Sequence, residues 1–231
     1  EMFLDGTSWP EGQSIDAEGA HVLEVRASDA AGNLSSATVA FAIDRTPPVI
    51  ELLGIPGPYA CGTVTPDVRV TEAHLASSTI TLNNEPFASG TSLSEEGRYQ
   101  LRVEAVDEAG NTSTLESIFT LDCTGPEIFI ESPAEGHLTH QTSISVSGTV
   151  EDLSPVESVR VGTVPAVLNG MSFSAAGIPL LDEGGNPVDV TASDAAGNTN
   201  SASVTVMRDT TLPTIVLSGP AGAGKTVIAD A

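Results

Sequence analysis

Apolar and polar residues alternate with a period of two along most of the chain, and no segment keeps the 3.6-residue period of an amphipathic helix. Tyr99, Leu101, Val103 and Ala105 interleave with Gln100, Arg102 and Glu104, and the runs around Leu23, Val25, Ala27 and around Val188, Val190, Ala192 repeat the pattern. A second run follows each, such as Ala37, Val39, Phe41 and Ile43 set between Thr38, Ala40 and Ala42. A period of two puts alternate side chains on opposite faces, so each run predicts a strand with one buried face. Between paired runs lies Asp29-Ala-Ala-Gly-Asn33, Asp107-Glu-Ala-Gly-Asn111 or Asp194-Ala-Ala-Gly-Asn198, a turn signal. Leu4-Asp-Gly6, Leu82-Asn-Asn84 and Leu168-Asn-Gly170 read as further hairpins, because these residues accept the positive φ angles of a type I′ turn.

The spacing of these motifs makes the chain a tandem array. Leu4 to Ile50 superimposes without a gap on Leu82 to Ile128 at an offset of 78, and the third copy follows 87 residues later. The closing residues Asp44, Asp122 and Asp209 keep those spacings, each followed by a joint: Thr46-Pro-Pro48, Thr124-Gly-Pro126 and Thr211-Leu-Pro213. The expected organisation is the C-terminal part of a repeat (1–45), two complete repeats (46–123 and 124–210) and the first strand or strands of another (211–231). Opening strands at Val49–Leu53, Ile128–Glu131 and Ile215–Ser218, with second strands at Val68–Thr71 and Ile144–Val150, bring each repeat to about seven short strands. The prediction is an all-β protein of antiparallel β-sandwiches in a row, an extended rod. The first residue is Glu1, which reads as the start of a piece of a longer chain.

Gly97-Arg-Tyr-Gln-Leu-Arg-Val-Glu-Ala-Val-Asp-Glu-Ala-Gly-Asn111, followed by a closing Asp and a Thr/Pro joint, resembles the immunoglobulin-like repeats of bacterial cell-surface and secreted proteins, including biofilm-type adhesins. The likeness runs over essentially the whole chain. It implies a non-catalytic role outside the cell. His21 and Asn186 stand where the motif has Tyr99, so a corner hydrogen bond from a tyrosine hydroxyl is not general.

Charge narrows the partners. Thirty-one acidic residues against eight basic ones give a net charge of −23. Nucleic-acid binding needs clustered cations and is not expected. No apolar stretch approaches the roughly 18 residues of a spanning helix.

The joints hold the strongest candidate chemistry. In such a sandwich the loop after the second strand and the loop before the last strand share the pole where the chain enters. Asp44 is therefore expected near Glu72, Asp107 and Asn111, and Asp122 near Glu151 or Asp152 and Asp194. Carboxylates with backbone carbonyls suit Ca2+, a hard ion taking six to eight oxygens. The alternative is that each motif Asp accepts amide bonds across its own turn, with no ion. Cys61 and Cys123 occur together in one repeat and read as a disulfide, implying an oxidising compartment; two free thiols are the other reading.

Gly219-Pro-Ala-Gly-Ala-Gly-Lys225-Thr226 fits the nucleotide-binding phosphate loop letter for letter. It is read as a chance match, because that loop works between a buried parallel strand and a helix, and here it falls within a β-repeat. His21, His74, His137 and His140 lack zinc-ligand spacing and read as loop residues. Trp9, Phe87 and Phe173 read as one core aromatic per sandwich. The function expected is that of a stiff spacer or linking rod on an extracellular bacterial protein, with neighbouring repeats as partners and a surface, glycan or protein as the distal ligand. Spacer modules of a secreted multidomain enzyme, and a fibre subunit associating with itself by strand complementation, are the alternatives.

Overall fold

The computed structural model describes residues 1–218 and 226–229, with side chains for residues 1–215. Regular structure among the described residues is entirely β-strand, and no helix is long and apolar enough to cross a membrane. The chain gathers into two compact units whose boundary cuts through the middle repeat: Glu1–Pro58, Thr63–Ser94 and Arg98–Phe119 form the first, and Tyr59–Gly62, Glu95–Gly97 and the chain from Thr120 onward the second.

The first unit opens with β1 (Met2–Leu4), β2 (Thr7–Ser8), β3 (Gly19–Ser28) and β4 (Leu34–Ile43), in the sheet order β2-β1-β3-β4. β3 and β4 pair in unbroken register from Gly19↔Ile43 to Ser28↔Leu34. The β1–β2 link is a two-residue turn with φ of 51° at Asp5 and 78° at Gly6, as its sequence demands. β5 (Val49–Leu53) precedes β6 (Tyr59–Ala60), and β5 pairs with β7 (Asp67–Thr71) as a two-stranded sheet. β8 (Leu75–Leu82), β9 (Glu85–Pro86), β10 (Gly97–Asp107) and β11 (Thr112–Leu121) then run in the order β11-β10-β8-β9. The period-two reading holds: Leu101, Val103, Ala105 and Phe119 are buried. Tyr99 stacks on Phe119 with centroids 5.3 Å apart.

In the second unit β6 runs parallel to the end of β11, Thr120 opposite Tyr59 and Leu121 opposite Ala60. A disulfide joins Cys61 to Cys123 just beyond both strands. Two sheets follow. β12 (Glu127–Ser132), β14 (Ser143–Glu151), β17 (Val167–Asn169) and β18 (Ser172–Pro179) take the order β12-β14-β18-β17. Against them lie β13 (His137–Thr139), β15 (Val156–Val161), β16 (Val164–Pro165), β19 (Gly184–Asp194) and β20 (Thr199–Arg208), in the order β13-β20-β19-β15-β16. Val146, Phe173 and Ile178 from one sheet meet Val159, Val190 and Val206 from the other in a single buried cluster. Gly148 is small because a Cβ there would lie 2.0 Å from the Phe129 carbonyl oxygen and 2.8 Å from the Phe173 ring. β21 (Ile215–Ser218) and β22 (Thr226–Ala229) form an antiparallel pair.

One hairpin equivalence fails. The counterpart of Leu82-Asn-Asn84 is the Gly162-Thr163 turn between β15 and β16, where Pro165 opposes Arg160 as Pro86 opposes Thr81. Leu168-Asn-Gly170 lies in the opposite sheet, and its turn is Gly170-Met171, since Asn169 pairs with Ser172. Turn chemistry and a period of two specify a hairpin without saying which sheet receives it. Phe173 is therefore not the counterpart of Trp9 and Phe87: it is buried, and they are half-buried. His137 opens β13 and does not lie in a loop.

Candidate functional site

Each Asp-x-Ala-Gly-Asn turn is locked by its own aspartate. Asn33, Asn111 and Asn198 each donate the backbone N–H to Oδ1 of Asp29, Asp107 and Asp194, at 2.9, 2.8 and 2.8 Å. Each also donates the side-chain amide to Oδ2 of the same aspartate, at 2.8 Å in all three. Burial pushes the Asp107 carboxyl up, but the Asn111 side-chain and backbone donors outweigh it and hold the group below its ordinary value. At the exposed Asp29 the Asn33 side chain is the leading cause of a lowered value.

The same asparagines reach back to the preceding joint. Asn111 Nδ2 donates to the Asp44 carbonyl at 3.1 Å, and Asn198 Nδ2 to the Asp122 carbonyl at 2.9 Å. The closing aspartates turn their side chains forward: Asp44, Asp122 and Asp209 accept the backbone N–H of Thr46, Thr124 and Thr211 at 3.0, 3.2 and 2.9 Å.

A third element of the joint was not anticipated. Glu18, Glu96 and Glu183 accept the backbone N–H of Arg45, Cys123 and Thr210 at 3.0, 2.7 and 2.6 Å. Their separations, 78 and 87, match the repeat spacings, and that was the signal available in the sequence. Every joint thus has an aspartate closing its own turn, a glutamate capping the next amide and, at Asp44 and Asp122, an asparagine holding the carbonyl. Gly125 belongs to this geometry, because a Cβ there would lie 2.5 Å from the Thr199 carbonyl oxygen.

The expected ligand sets separate. Asp122, Asp152 and Asp194 each offer an oxygen within 4.8 Å of the others, and this is the one such acidic group among the described residues. Asp44, Glu72 and Asp107 form no comparable group: Asp44 and Asp107 serve their own turns, Glu72 accepts the His74 N–H at 3.2 Å, and Asn111 uses its amide as a donor. Glu151 lies on β14 opposite Glu127, outside the trio.

Within the trio, Asp122 Oδ2 accepts from Ser154 N at 3.0 Å and from the Ser154 hydroxyl, while both Asp194 oxygens are taken by Asn198. Asp152 Oδ2 is buried with no donor. Burial, then the charge of Asp122, pushes Asp152 up to about 6, against the Leu153 amide bond, which lowers it. Burial also acts upward on Asp122, but the Ser154 hydroxyl and the Thr124 and Ser154 amides hold it below its ordinary value.

The corner at His21 and Asn186 survives with different chemistry. His21 Nε2 lies 2.9 Å from the Ala17 carbonyl, and Asn186 Nδ2 donates to the Asp182 carbonyl at 2.8 Å, four residues back in both cases. Gly219 and Lys225 lie outside the described residues; Thr226 begins strand β22.

Residues 62–122 match the bacterial Ig-like domain family, and residues 126–210 match glucodextranase domain B. Bacillopeptidase F of Bacillus subtilis (strain 168) is 33% identical over 113 residues, covering 48% of this chain, and the chain spans 8% of that protein's length. Among solved structures, fibronectin(III)-like modules of Clostridium thermocellum CbhA overlap 70% of this chain and 94% of theirs at 11% identity and a TM-score of 0.34. Titin domains I67–I69 overlap 83% of this chain and 74% of theirs at 10% identity and a TM-score of 0.35.

Proposed function

From the match of residues 62–122 to the bacterial Ig-like domain family and of residues 126–210 to glucodextranase domain B, we propose that the chain is a non-catalytic spacing segment of an extracellular multidomain protein. The observation behind this reading is the recurrence of one joint design: a glutamate, an aspartate and, at two joints, an asparagine fix the backbone where one repeat passes to the next. Hydrogen bonds at a joint serve a chain whose work is to hold its ends at a set separation. The Cys61–Cys123 disulfide supports an oxidising, extracellular setting. The charge of −23 keeps such segments apart in solution.

A second reading, that these are accessory modules of a secreted enzyme, is favoured by the similarity to glucodextranase domain B and to Bacillopeptidase F. Small-angle scattering tests the spacing role on the full chain. The wild type should give a narrow, elongated distance distribution, and Glu96→Ala with Asn198→Ala a broader one. A compact wild-type particle, or no change in the variant, sinks the reading.

Calcium enters as part of the same proposal. Asp122, Asp152 and Asp194 would hold it, and the residues fit: three carboxylates converge, and the buried Asp152 Oδ2 has no donor. A bound ion would supply positive charge among three carboxylates that, above about pH 6, have no proton left to relieve their repulsion. Adding Ca2+ to chelated protein at pH 7.5 should raise the melting temperature of the second unit and leave Asp152→Asn unaffected; an unmoved wild type removes calcium from the account.

A further inference from the structure

His21 gives the repeated corner a side chain whose charge changes near neutral pH. The middle repeat has Tyr99 at this position and the third has Asn186. The His21 side chain is 8% exposed, with Nδ1 2.7 Å from Asp5 Oδ2 and Nε2 2.9 Å from the Ala17 carbonyl oxygen. Both partners are pure acceptors. A neutral imidazole has one N–H and satisfies one of them, whereas the imidazolium satisfies both. The ring thus joins the β1–β2 turn, through Asp5, to the segment before β3, through Ala17.

That segment is also tied at the joint. Arg45 donates to the Asp16 carbonyl at 2.9 Å and to Asp16 Oδ1 at 3.2 Å, and Glu18 accepts from Arg45 N and the Thr46 hydroxyl. The groups facing His21 are few. Asp5 comes from the β1–β2 turn and the uncharged Phe41 ring from β4, 5.5 Å away, while Asp16 and Glu18 in the loop are turned to Arg45 and Thr46. Asp5 also accepts the Val22 N–H at 2.8 Å, so its carboxylate is held in place whatever the state of the ring.

We propose that His21 is a proton-operated latch, which holds the loop from Trp9 to Glu18 against β3 through both ring nitrogens when the imidazole is charged and loosens it by one hydrogen bond when the proton leaves. The shifts agree in direction: the Asp5 hydrogen bond leads in raising His21 above its ordinary 6.5, and the His21 bond leads in lowering Asp5 below 3.8. A histidine raised on folding adds stability that is complete below 6.5 and disappears as the pH climbs through the raised value. An aspartate lowered on folding adds stability above 3.8 that disappears in acid. The latch is therefore closed across the interval between the two groups and loosens on the alkaline side. Through Glu18 the latch touches the first joint, but its test reads the His21 titration and not the separation of the chain ends, and neither His21 nor Asp5 belongs to the acidic trio.

The test is an NMR titration of the whole chain, reading the His21 ring resonances and the exchange protection of the Trp9 and Arg45 amides, which donate to the Met2 carbonyl and to Glu18 at the two ends of the loop, corrected for intrinsic exchange. The His21 midpoint should lie above 6.5, and protection should fall across the same midpoint by about fivefold, what one hydrogen bond is worth. Asp5→Asn should move the midpoint down towards the ordinary imidazole value. His21→Asn, which imports the residue of the third repeat, should make protection independent of pH. A midpoint at or below 6.5 overturns the proposal, as does protection that ignores the titration or an Asp5→Asn midpoint equal to wild type.

Discussion

The middle and third repeats solve the same packing problem with different resources. The second sheet of the middle repeat has two strands, β5 and β7, supplemented by the isolated Val64–Leu93 bridge; that of the third has four. The third repeat buries thirteen apolar residues in one cluster. The strands and loops of the middle repeat bury seven, Val64, Val68, Leu101, Val103, Ala105, Phe119 and Leu121. Among the described residues the disulfide belongs to the repeat with the thinner core. Small cores fall short of the conformational entropy they must offset, and a cross-link that shortens the unfolded chain makes up part of the difference.

The largest effect expected from this contrast is at Phe173. Phe173→Ala should cost about 3–5 kcal/mol, as full truncation of a buried aromatic does, while Phe87→Ala, at a half-buried site, should cost well under half of that. Urea titrations of the two variants check it, and equal losses would erase the distinction between the cores.

Next is the disulfide, whose cysteines are 62 residues apart. Cys61→Ser with Cys123→Ser should lower stability by at most about 4 kcal/mol. Hydrogen exchange should place the loss in β8–β11 and leave β14–β20 unchanged.

Third comes pH. Asp152, raised from 3.8 to about 6, is more easily protonated in the folded protein than in the unfolded one. Without calcium the second unit should therefore lose stability as the pH rises from about 4 through about 6, by on the order of 2–3 kcal/mol, and then level off. Asp152→Asn should flatten that slope in thermal melts across the range. The smallest effect is at the cap: Glu183→Gln should cost about 1 kcal/mol, read as faster exchange at the Thr210 amide.

The sequence disclosed the strands wherever alternation was long and one-sided. Leu101, Val103 and Ala105, and Val188, Val190 and Ala192, face inward as their period required. It also disclosed the cysteine pair, because two residues absent from both neighbouring copies stand out against a repeat. Sheet assignment was hidden. The longer third repeat makes β17 and β18 between β16 and Glu183, and Leu168-Asn-Gly170 imitates the expected hairpin because turn preference is local while sheet membership is set by distant partners. At the candidate site, Asp122 and Asp194 could be placed from the joint spacing. The choice of Asp152 over Glu151 depended on the end of β14, where Glu151 pairs with Glu127 and the next residue turns inward. The capping glutamates carry no local signal, because a lone glutamate before a strand resembles any solvated charge.

The capping glutamate and the closing aspartate are separated by the same interval in every copy: Glu18 to Asp44, Glu96 to Asp122 and Glu183 to Asp209 all span 26 residues. The difference in length between copies therefore lies upstream of the glutamate. A repeat built this way has an invariant rear coupling and a front free to grow. Genetic exchange that cuts ahead of the glutamate could lengthen, shorten or replace a module while the hitch to the next one stays in gauge.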